Sequence, residues 1–186
     1  MSQEALTFSR LEDAEEVSGF QCKNGPGAVD LEDFLKNNAL DYERRNLSRS
    51  YLGWLDDELV GFVTLSCGSL RIRPEAAALQ AKAEIEDIPC VIPGVLLGRL
   101  AVDDRFQGSG FGPNLFRWSV YLAREQIAPM AGCRFLFIDA YVCRRTWYEA
   151  RGCSIADKTK QNPTDTMKMC FDLFPPEDPT LDLWKP

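Results

Sequence analysis

The chain has 186 residues, enough for one domain with a hydrophobic core, and no apolar run approaches the length of a membrane span. Its net charge of −7 lies mostly in the N-terminal half, and the N-terminus lacks the pattern of an export signal, which predicts a cytoplasmic protein. Seven cysteines without Cys-x-x-Cys spacing and the absence of histidine exclude histidine-based hydrolases and predict free thiols without a metal site.

The N-terminal part of the chain predicts a helix followed by a β-hairpin. Residues 30–38 carry apolar side chains at helical spacing, and Asp30 is the expected N-cap. Two β-rich runs, 50–55 and 59–66, flank the short acidic turn 56–58, which is typical of an antiparallel hairpin.

The middle of the chain predicts a second helix and then a buried strand. Residues 75–86 are strong helix formers, and Pro89 limits how far this helix can extend. Residues 91–94 have the proline and glycine content of a connector. The nearly continuous apolar run 95–102 predicts a strand that is buried on both faces.

The C-terminal part predicts alternating helices and strands. The apolar spacing over 113–126 fits a helix, and the apolar run 134–142 is typical of another buried strand. Residues 144–150 predict a short helix closed by Gly152, and the alternation over 167–173 predicts a last strand.

The predicted elements form one mixed α/β layer and not two domains. No repeat or low-complexity tract interrupts residues 1–173, which we therefore expect to be a single domain. Residues 174–186 contain four prolines and three acidic side chains, so we expect an extended C-terminal tail there.

The segment 97–113 carries the most specific chemical signal in the sequence. Its strand ends at Val102, and a loop with glycines at alternate positions opens directly onto a helix; these glycines are Gly108, Gly110 and Gly112. Glycines allow successive N–H groups to point into one concavity, and a helix N-terminus adds partial positive charge. Together these features suit a pyrophosphate group.

Three anion-binding patterns compete at this loop. A Walker loop requires Gly-Lys followed by Ser or Thr, but Gly112 is followed by Pro-Asn. A dinucleotide fingerprint requires Gly-x-Gly-x-x-Gly, but Pro113 stands at the position of the last glycine. The third pattern is Gln or Arg, two residues, Gly, one residue, and Gly or Ala, and it is matched by Gln107, Gly110 and Gly112.

This third pattern resembles the coenzyme A loop of the GNAT superfamily of N-acetyltransferases, and the resemblance extends over the segment 97–118. Other segments are similar to the GNAT-type toxins that acetylate aminoacyl-tRNA: 97–103, 138–140 and 147–152. The likeness covers roughly residues 18–173. It implies the GNAT fold, a single mixed, mostly antiparallel central sheet flanked by helices. Proline after Gly112 departs from the pattern and removes one N–H donor.

The resemblance implies acetyl-CoA as the cofactor and assigns roles to individual residues. The diphosphate would be held by Gln107, Gly108, Ser109, Gly110, Phe111 and Gly112. The pantetheine arm would pair like an added strand with the backbone of Leu100, Ala101 and Val102. The N–H of Leu100 would polarise the thioester carbonyl, and Tyr148 would give a proton to the departing thiolate.

The sequence leaves the general base open. Without histidine, the candidates are Asp139, Glu149 or a carboxylate that acts through water. An α-amine has a pKa of about 7.7–8.0 and is partly neutral at pH 7, whereas a lysine side chain, at about 10.4, needs a strong base. This difference favours α-amines or similarly weak amines as acceptors.

Three functions fit these residues. The first is acetylation of the amino group of aminoacyl-tRNA, with an antitoxin protein as partner, and a local excess of basic side chains favours it: Arg144, Arg145, Arg151, Lys158, Lys160 and Lys168. The pI of about 4.7 argues against tRNA, because tRNA-binding proteins usually present a broad basic surface. The second is acetylation of a small-molecule or peptide amine. The third is a regulatory module that binds coenzyme A without turnover, and the sequence also leaves a homodimer open.

Overall fold

The computed structural model of the protein describes residues 6–25, 27–71, 91–156 and 165–175. The chain divides into two compact units. The described residues of the first unit fall within 6–66 and 98–119, and those of the second fall within 67–97 and 120–175. The predicted helix 75–86 and most of the predicted tail lie outside the described residues, so both stay predictions, as does the domain boundary after residue 173.

In the described residues, seven strands form one mixed sheet with the hydrogen-bonded order β1-β2-β3-β4-β5-β7-β6. The strands are β1 (Thr7–Arg10), β2 (Arg49–Leu55), β3 (Glu58–Arg71), β4 (Val91–Val102), β5 (Phe135–Tyr141), β6 (Ser154–Ile155) and β7 (Thr166–Asp172). β4 and β5 are parallel, whereas the pairs β1–β2, β2–β3, β5–β7 and β6–β7 are antiparallel. The prediction of a mixed, mostly antiparallel sheet is confirmed.

Helices and helical turns connect these strands. The α-helices are α1 (Ala28–Asp33), α2 (Ala39–Arg44), α3 (Phe111–Tyr121), α4 (Ala128–Ala131) and α5 (Arg145–Glu149). The π-helical segments Phe34–Asn38 and Leu122–Ile127 join α1 to α2 and α3 to α4. Short 3₁₀ turns lie at Glu15–Val17, Asp104–Phe106 and Val142–Arg144. None of the helices in the described ranges has both the length and the apolar character that a membrane crossing requires.

The first helix begins earlier than the sequence predicts. Gly27 is the N-cap, in the left-handed region at φ +70°, and the helix starts at Ala28. Asp30 lies inside the first turn, so the prediction of an Asp30 N-cap is wrong, although a carboxylate there still suits the helix dipole. The helix also continues beyond residue 38, because Leu40 and Tyr42 pack against the core of the first unit.

A buried carboxylate joins α2 to β2 within the first unit. Glu43 is only 6% exposed. Its carboxylate accepts hydrogen bonds from the Arg10 guanidinium at 2.7 Å, the Arg49 guanidinium at 3.2 Å and the Ser50 N–H at 2.6 Å. A buried charge is tolerated only when it is paired and hydrogen-bonded, and Glu43 meets both conditions.

The predicted hairpin is confirmed, and it lies beside the end of β4. β2 and β3 pair from Leu55↔Glu58 to Arg49↔Leu65 around a turn at Asp56 and Asp57. Within β3, a Cβ placed on Gly61 would clash with the carbonyl oxygen of Ala101 and lie 2.7 Å from Leu115 Cδ1. Glycine therefore permits β3 to approach both β4 and α3 closely.

We expect Gly61→Ala to destabilise the protein by about 1–3 kcal/mol, because backbone and core atoms must move to admit the methyl group. Thermal unfolding followed by circular dichroism measures this as a Tm lower by about 2–4 °C per kcal/mol. The matched control is Gly19→Ala, since a Cβ there would meet no atom within 4 Å. Equal Tm values for the two variants would contradict the close approach at Gly61.

The first residues of β4 differ from the prediction. Residues 91–94 are strand and not a connector, and the parallel register with β5 runs from Gly94↔Phe135 to Leu97↔Ile138. The interpretation as a connector is wrong because Gly94 lets β5 pack closely against β4. A Cβ at Gly94 would clash with the Phe135 carbonyl oxygen. β4 also alternates between buried and exposed positions over much of its length, so it is not buried on both faces.

The predicted elements that follow β4 are confirmed with small shifts in their bounds. The helix predicted at 113–126 corresponds to α3 and its π-helical continuation, and the two predicted strands correspond to β5 and β7. The short helix ends before Gly152, which has φ +85°. The sequence missed β1 and β6, because four and two residues are too few to display a period.

Candidate functional site

The loop after β4 is held by a buried carboxylate that the sequence analysis missed. Asp103 is 0% exposed and caps the 3₁₀ turn Asp104–Phe106. It accepts hydrogen bonds from the N–H of Gln21 at 2.9 Å, and from the N–H at 3.0 Å and Nε at 2.9 Å of Arg105. Burial opposes ionisation of Asp103, but the hydrogen bonds from Arg105 and Gln21 outweigh it and hold the pKa below its ordinary value.

We expect Asp103→Asn to lower the free energy of unfolding at pH 7 by about 1.5–3 kcal/mol, because hydrogen bonds to a buried charge are lost. Since the folded pKa is lowered, this contribution is complete above the unfolded pKa of about 3.9 and is lost progressively as pH falls from there through the folded pKa. Unfolding measured at pH 7 and pH 3 should therefore show a variant difference that shrinks at low pH. Asp57→Asn, at an exposed turn position, is the control, and an undiminished difference at pH 3 would contradict the assignment.

The glycine loop has the backbone that its sequence predicts. Gly108 and Gly110 have φ of +81° and +88°, which other residues rarely adopt. α3 begins at Phe111, two residues before the predicted start, so Gly112 lies inside the first helical turn. The two left-handed glycines therefore turn the chain, and the third lies at the helix N-terminus.

The backbone N–H groups of this loop are partly used by the protein. Ser109 donates its N–H to the carbonyl of Phe106 at 3.3 Å. A helix has no internal acceptor for its first N–H groups, and in the described residues no other backbone acceptor pairs with those of Phe111 or Gly112. The Gln107 side chain donates to the Val102 carbonyl at 3.2 Å and to Asp104 at 2.9 Å, so it braces the loop.

The end of β4 directs alternate backbone groups to its two edges. Asp103 donates its N–H to the Val60 carbonyl of β3 at 2.8 Å, and the Ala101 carbonyl oxygen also lies against β3, beside Gly61. Successive residues of a strand direct their N–H groups to opposite edges. The N–H groups of Leu100 and Val102 therefore point away from β3, to the edge where an added strand could pair.

In the second unit, Tyr148 lies in α5 and is partly buried. Its ring packs edge-to-face against the Trp147 ring, with 4.8 Å between the ring centroids, and its backbone carbonyl accepts hydrogen bonds from the N–H groups of Arg151 and Cys153. Burial raises the pKa of the Tyr148 phenol, while the positive charges of Arg144 and Arg151 oppose this shift. The phenol is therefore protonated at neutral pH and suits a proton donor, not a base.

Both named base candidates are engaged by basic side chains. Asp139 accepts a hydrogen bond from the ammonium of Lys168 at 2.9 Å, and Glu149 accepts one from the guanidinium of Arg145 at 2.8 Å. Two members of the predicted basic cluster, Arg145 and Lys168, are therefore already paired with carboxylates of the protein. Arg151 stacks its guanidinium on the Trp147 ring at 3.6 Å, and Lys158 and Lys160 lie outside the described residues.

The mixed sheet, with a glycine loop between β4 and the N-terminus of α3, has the architecture of the GNAT class of acetyl-CoA-dependent N-acetyltransferases. No family model matches the chain. A tRNA-acetylating toxin of Mycobacterium tuberculosis is 30% identical to it over 161 residues, which are 86% of this chain and 87% of the toxin. The chain therefore belongs to the family of tRNA-acetylating toxins.

The solved structures that share this fold include two of the toxin AtaT. AtaT complexed with acetyl-methionyl-tRNAfMet has a TM-score of 0.70 and 21% identity, covering 90% of this chain and 94% of AtaT. A tyrosine-to-phenylalanine mutant of AtaT, bound to the C-terminus of the antitoxin AtaR and acetyl-CoA, has a TM-score of 0.64 and 22% identity. That comparison covers 90% of this chain and 93% of the other.

Proposed function

We propose that this protein transfers the acetyl group of acetyl-CoA to the α-amino group of aminoacyl-tRNA. The observation that carries the proposal is the 30% identity, over 86% of the chain, to a toxin that acetylates tRNA. The proposal is supported by the glycine loop and by the edge of β4 that faces away from β3, because both offer backbone groups to which acetyl-CoA would bind. The proposed substrate places the reaction in the cytoplasm.

The first unit would hold the cofactor. The diphosphate would be bound by backbone N–H groups between Gln107 and Gly112. Those of Phe111 and Gly112 are better placed to bind it than that of Ser109, because the Ser109 N–H already donates to a backbone carbonyl. Along β4, the outward Leu100 carbonyl and Val102 N–H pair with the pantetheine amides. The N–H of Leu100 then donates to the thioester carbonyl and stabilises the negative charge that develops on its oxygen.

Tyr148 would act as the general acid. The amine nitrogen forms a bond to the carbonyl carbon, the bond from that carbon to sulfur breaks, and the phenol gives its proton to the departing thiolate. The phenol regains a proton from solvent, and the new amide releases one proton to water. Its raised pKa keeps Tyr148 in the protonated form that this role requires.

The described carboxylates favour an α-amine as the acceptor. Asp139 and Glu149 are hydrogen-bonded to basic side chains, which leaves no evident strong base among the candidates. An α-amine with a pKa of about 7.7–8.0 needs none, because a large fraction is already neutral near pH 7.5. The amino group of an aminoacyl-tRNA is an amine of this weakly basic kind.

A protein antitoxin is the proposed regulatory partner. The similar toxin AtaT has been solved with the C-terminus of the antitoxin AtaR. By the same reasoning, this chain would be neutralised by a small protein that covers its cofactor or acceptor side. Whether the free toxin is a homodimer is tested by its molar mass in solution, for which sedimentation velocity is sufficient.

Acetyl transfer can be measured directly with radiolabelled acetyl-CoA and a set of acceptors. We expect label in aminoacyl-tRNA, and none in tRNA without an amino acid. The acidic pI of about 4.7 favours the competing function, acetylation of a small cationic amine, so polyamines and peptides belong in the same experiment. Transfer to those amines but not to aminoacyl-tRNA would overturn the proposal, and absence of any turnover despite acetyl-CoA binding would favour a regulatory module.

A further inference from the structure

Arg99 is a partly buried cation for which the described protein provides no anion. Most other arginines of the described chain form ion pairs: Arg10, Arg45, Arg49, Arg105, Arg124, Arg134 and Arg145. In the same described ranges, Arg99 makes neither an ion pair nor a hydrogen bond through its guanidinium; its contact is with an aromatic ring. Burial lowers its pKa, yet arginine keeps its charge, so an anionic ligand would stabilise this position.

The guanidinium of Arg99 is stacked in a way that leaves its donors available. Its Cζ lies 3.4 Å from the centroid of the Phe34 ring, and the ring of Tyr42 packs edge-on against Phe34 at 5.3 Å. Stacking uses the flat face of the guanidinium, whereas its five N–H donors lie in the plane. A guanidinium oriented by a ring can therefore present two parallel donors to a phosphate.

The position of Arg99 relates this cation to the proposed reaction. Arg99 directly precedes Leu100 on β4, and it lies on the strand face shared with Ala101, which belongs to the same core cluster as Phe34. Phe34 begins a π-helical segment, closed by the hydrogen bond from the Ala39 N–H to the Phe34 carbonyl. Such segments are rare and occur frequently at functional sites.

We propose that Arg99, oriented by Phe34, binds a phosphate of the single-stranded 3′ end of the acceptor RNA. This inference rests on the proposed function and names a binding group on the acceptor side. Coenzyme A is the other source of phosphate, but its diphosphate is expected at residues 107–112, separated by the pantetheine arm from the thioester at Leu100. The phosphate closest to Arg99 is then the one that carries the aminoacylated nucleoside.

The experiment compares Arg99→Met, which keeps the apolar stem over Phe34 but removes the charge, with Arg99→Lys, which keeps the charge. Initial rates are measured with aminoacyl-tRNA at several salt concentrations, and with an aminoacyl-adenosine analogue that has no phosphate. For Arg99→Met we expect a KM for aminoacyl-tRNA about 10-fold higher than that of the wild type. The slope of log KM against log salt concentration should be smaller by about 0.7. Neither the KM for the phosphate-free acceptor nor the Kd for acetyl-CoA, measured by calorimetry, should change more than about twofold.

Two further variants separate a phosphate contact from general charge and from packing. Arg44→Met removes an exposed arginine of the same unit that also lacks an ion pair in the described residues, and it should leave the KM and its salt dependence close to those of the wild type. Arg99→Lys should restore the salt dependence while the KM stays about threefold high, because an ammonium cannot make the bidentate contact. If Arg99→Met does not fold, this raised KM of Arg99→Lys remains the test.

The inference is overturned if Arg99→Met has a wild-type KM and salt dependence, if it impairs the phosphate-free acceptor equally, or if it weakens acetyl-CoA instead. An equal effect of Arg44→Met would also overturn it, since general electrostatics would then be sufficient. Failure of the wild-type enzyme to acetylate aminoacyl-tRNA would overturn the proposed function as well, and that result is seen before any variant is made.

Discussion

Replacement of Tyr148 by phenylalanine is expected to lower kcat by about 100-fold or more, because the leaving thiolate loses its proton donor. The fold and the Kd for acetyl-CoA should be almost unchanged, since the phenylalanine ring keeps the edge-to-face packing on Trp147. Single-turnover acetyl transfer and calorimetric binding of acetyl-CoA measure these two effects separately. Burial raises the pKa of the phenol, so the wild-type rate should show no loss of this acid below pH 9.

Tyr121→Phe is the matched control for this prediction, because it removes a phenol at the C-terminal end of α3 to which no role is assigned. Its kcat should remain within about twofold of the wild type. A wild-type rate in Tyr148→Phe would remove the general acid from the mechanism and leave Tyr148 a packing residue of α5.

Gly108→Ala is expected to raise the Kd for acetyl-CoA by about 10-fold or more, equivalent to at least 1.4 kcal/mol of binding free energy. Gly108 has φ +81°, and a left-handed backbone costs an alanine about 1–2 kcal/mol. Relief of that strain reorients the peptide groups of the loop, and the N–H groups at the start of α3 then no longer converge on the diphosphate. Isothermal titration with acetyl-CoA measures the loss directly.

Gly132→Ala is a close structural match for this variant. Gly132 also has a positive φ, of +61°, and a Cβ at either glycine would meet no atom within 4 Å. It lies at the C-cap of α4, away in sequence from the loop. Both variants should lower Tm by similar amounts, but only Gly108→Ala should weaken acetyl-CoA. Equal affinities in the two variants would contradict the role of the loop.

Local patterns were enough to predict most long elements. The hairpin 50–66 and the strands β5 and β7 have apolar periods that extend over several residues, and such periods specify a strand wherever it packs. Errors arose where a local signal competes with tertiary contacts. Asp30 has the chemistry of an N-cap, yet the helix starts at Ala28, and the proline and glycine of residues 91–94 are accommodated in β4.

For the site too, the sequence was sufficient where a requirement is local and insufficient where it depends on tertiary contacts. Gly108 and Gly110 adopt the left-handed backbone that the motif requires, because this requirement is local. Asp103 was missed, since its importance depends on the Gln21 N–H, which is 82 residues away along the chain. The roles of Tyr148 and Leu100 stay predictions until the variants are measured.

The sequence by itself determined the class of the protein. The glycine loop and its flanking strand and helix are contiguous, and the backbone that they need can be recognised from their residue types. Only the tertiary structure decided which charges are engaged. Asp139 and Glu149 are held by basic side chains, whereas Arg99 is stacked on Phe34 and meets no anion among the residues that the structure describes. Pairing between distant side chains depends on distances that no periodicity or spacing encodes.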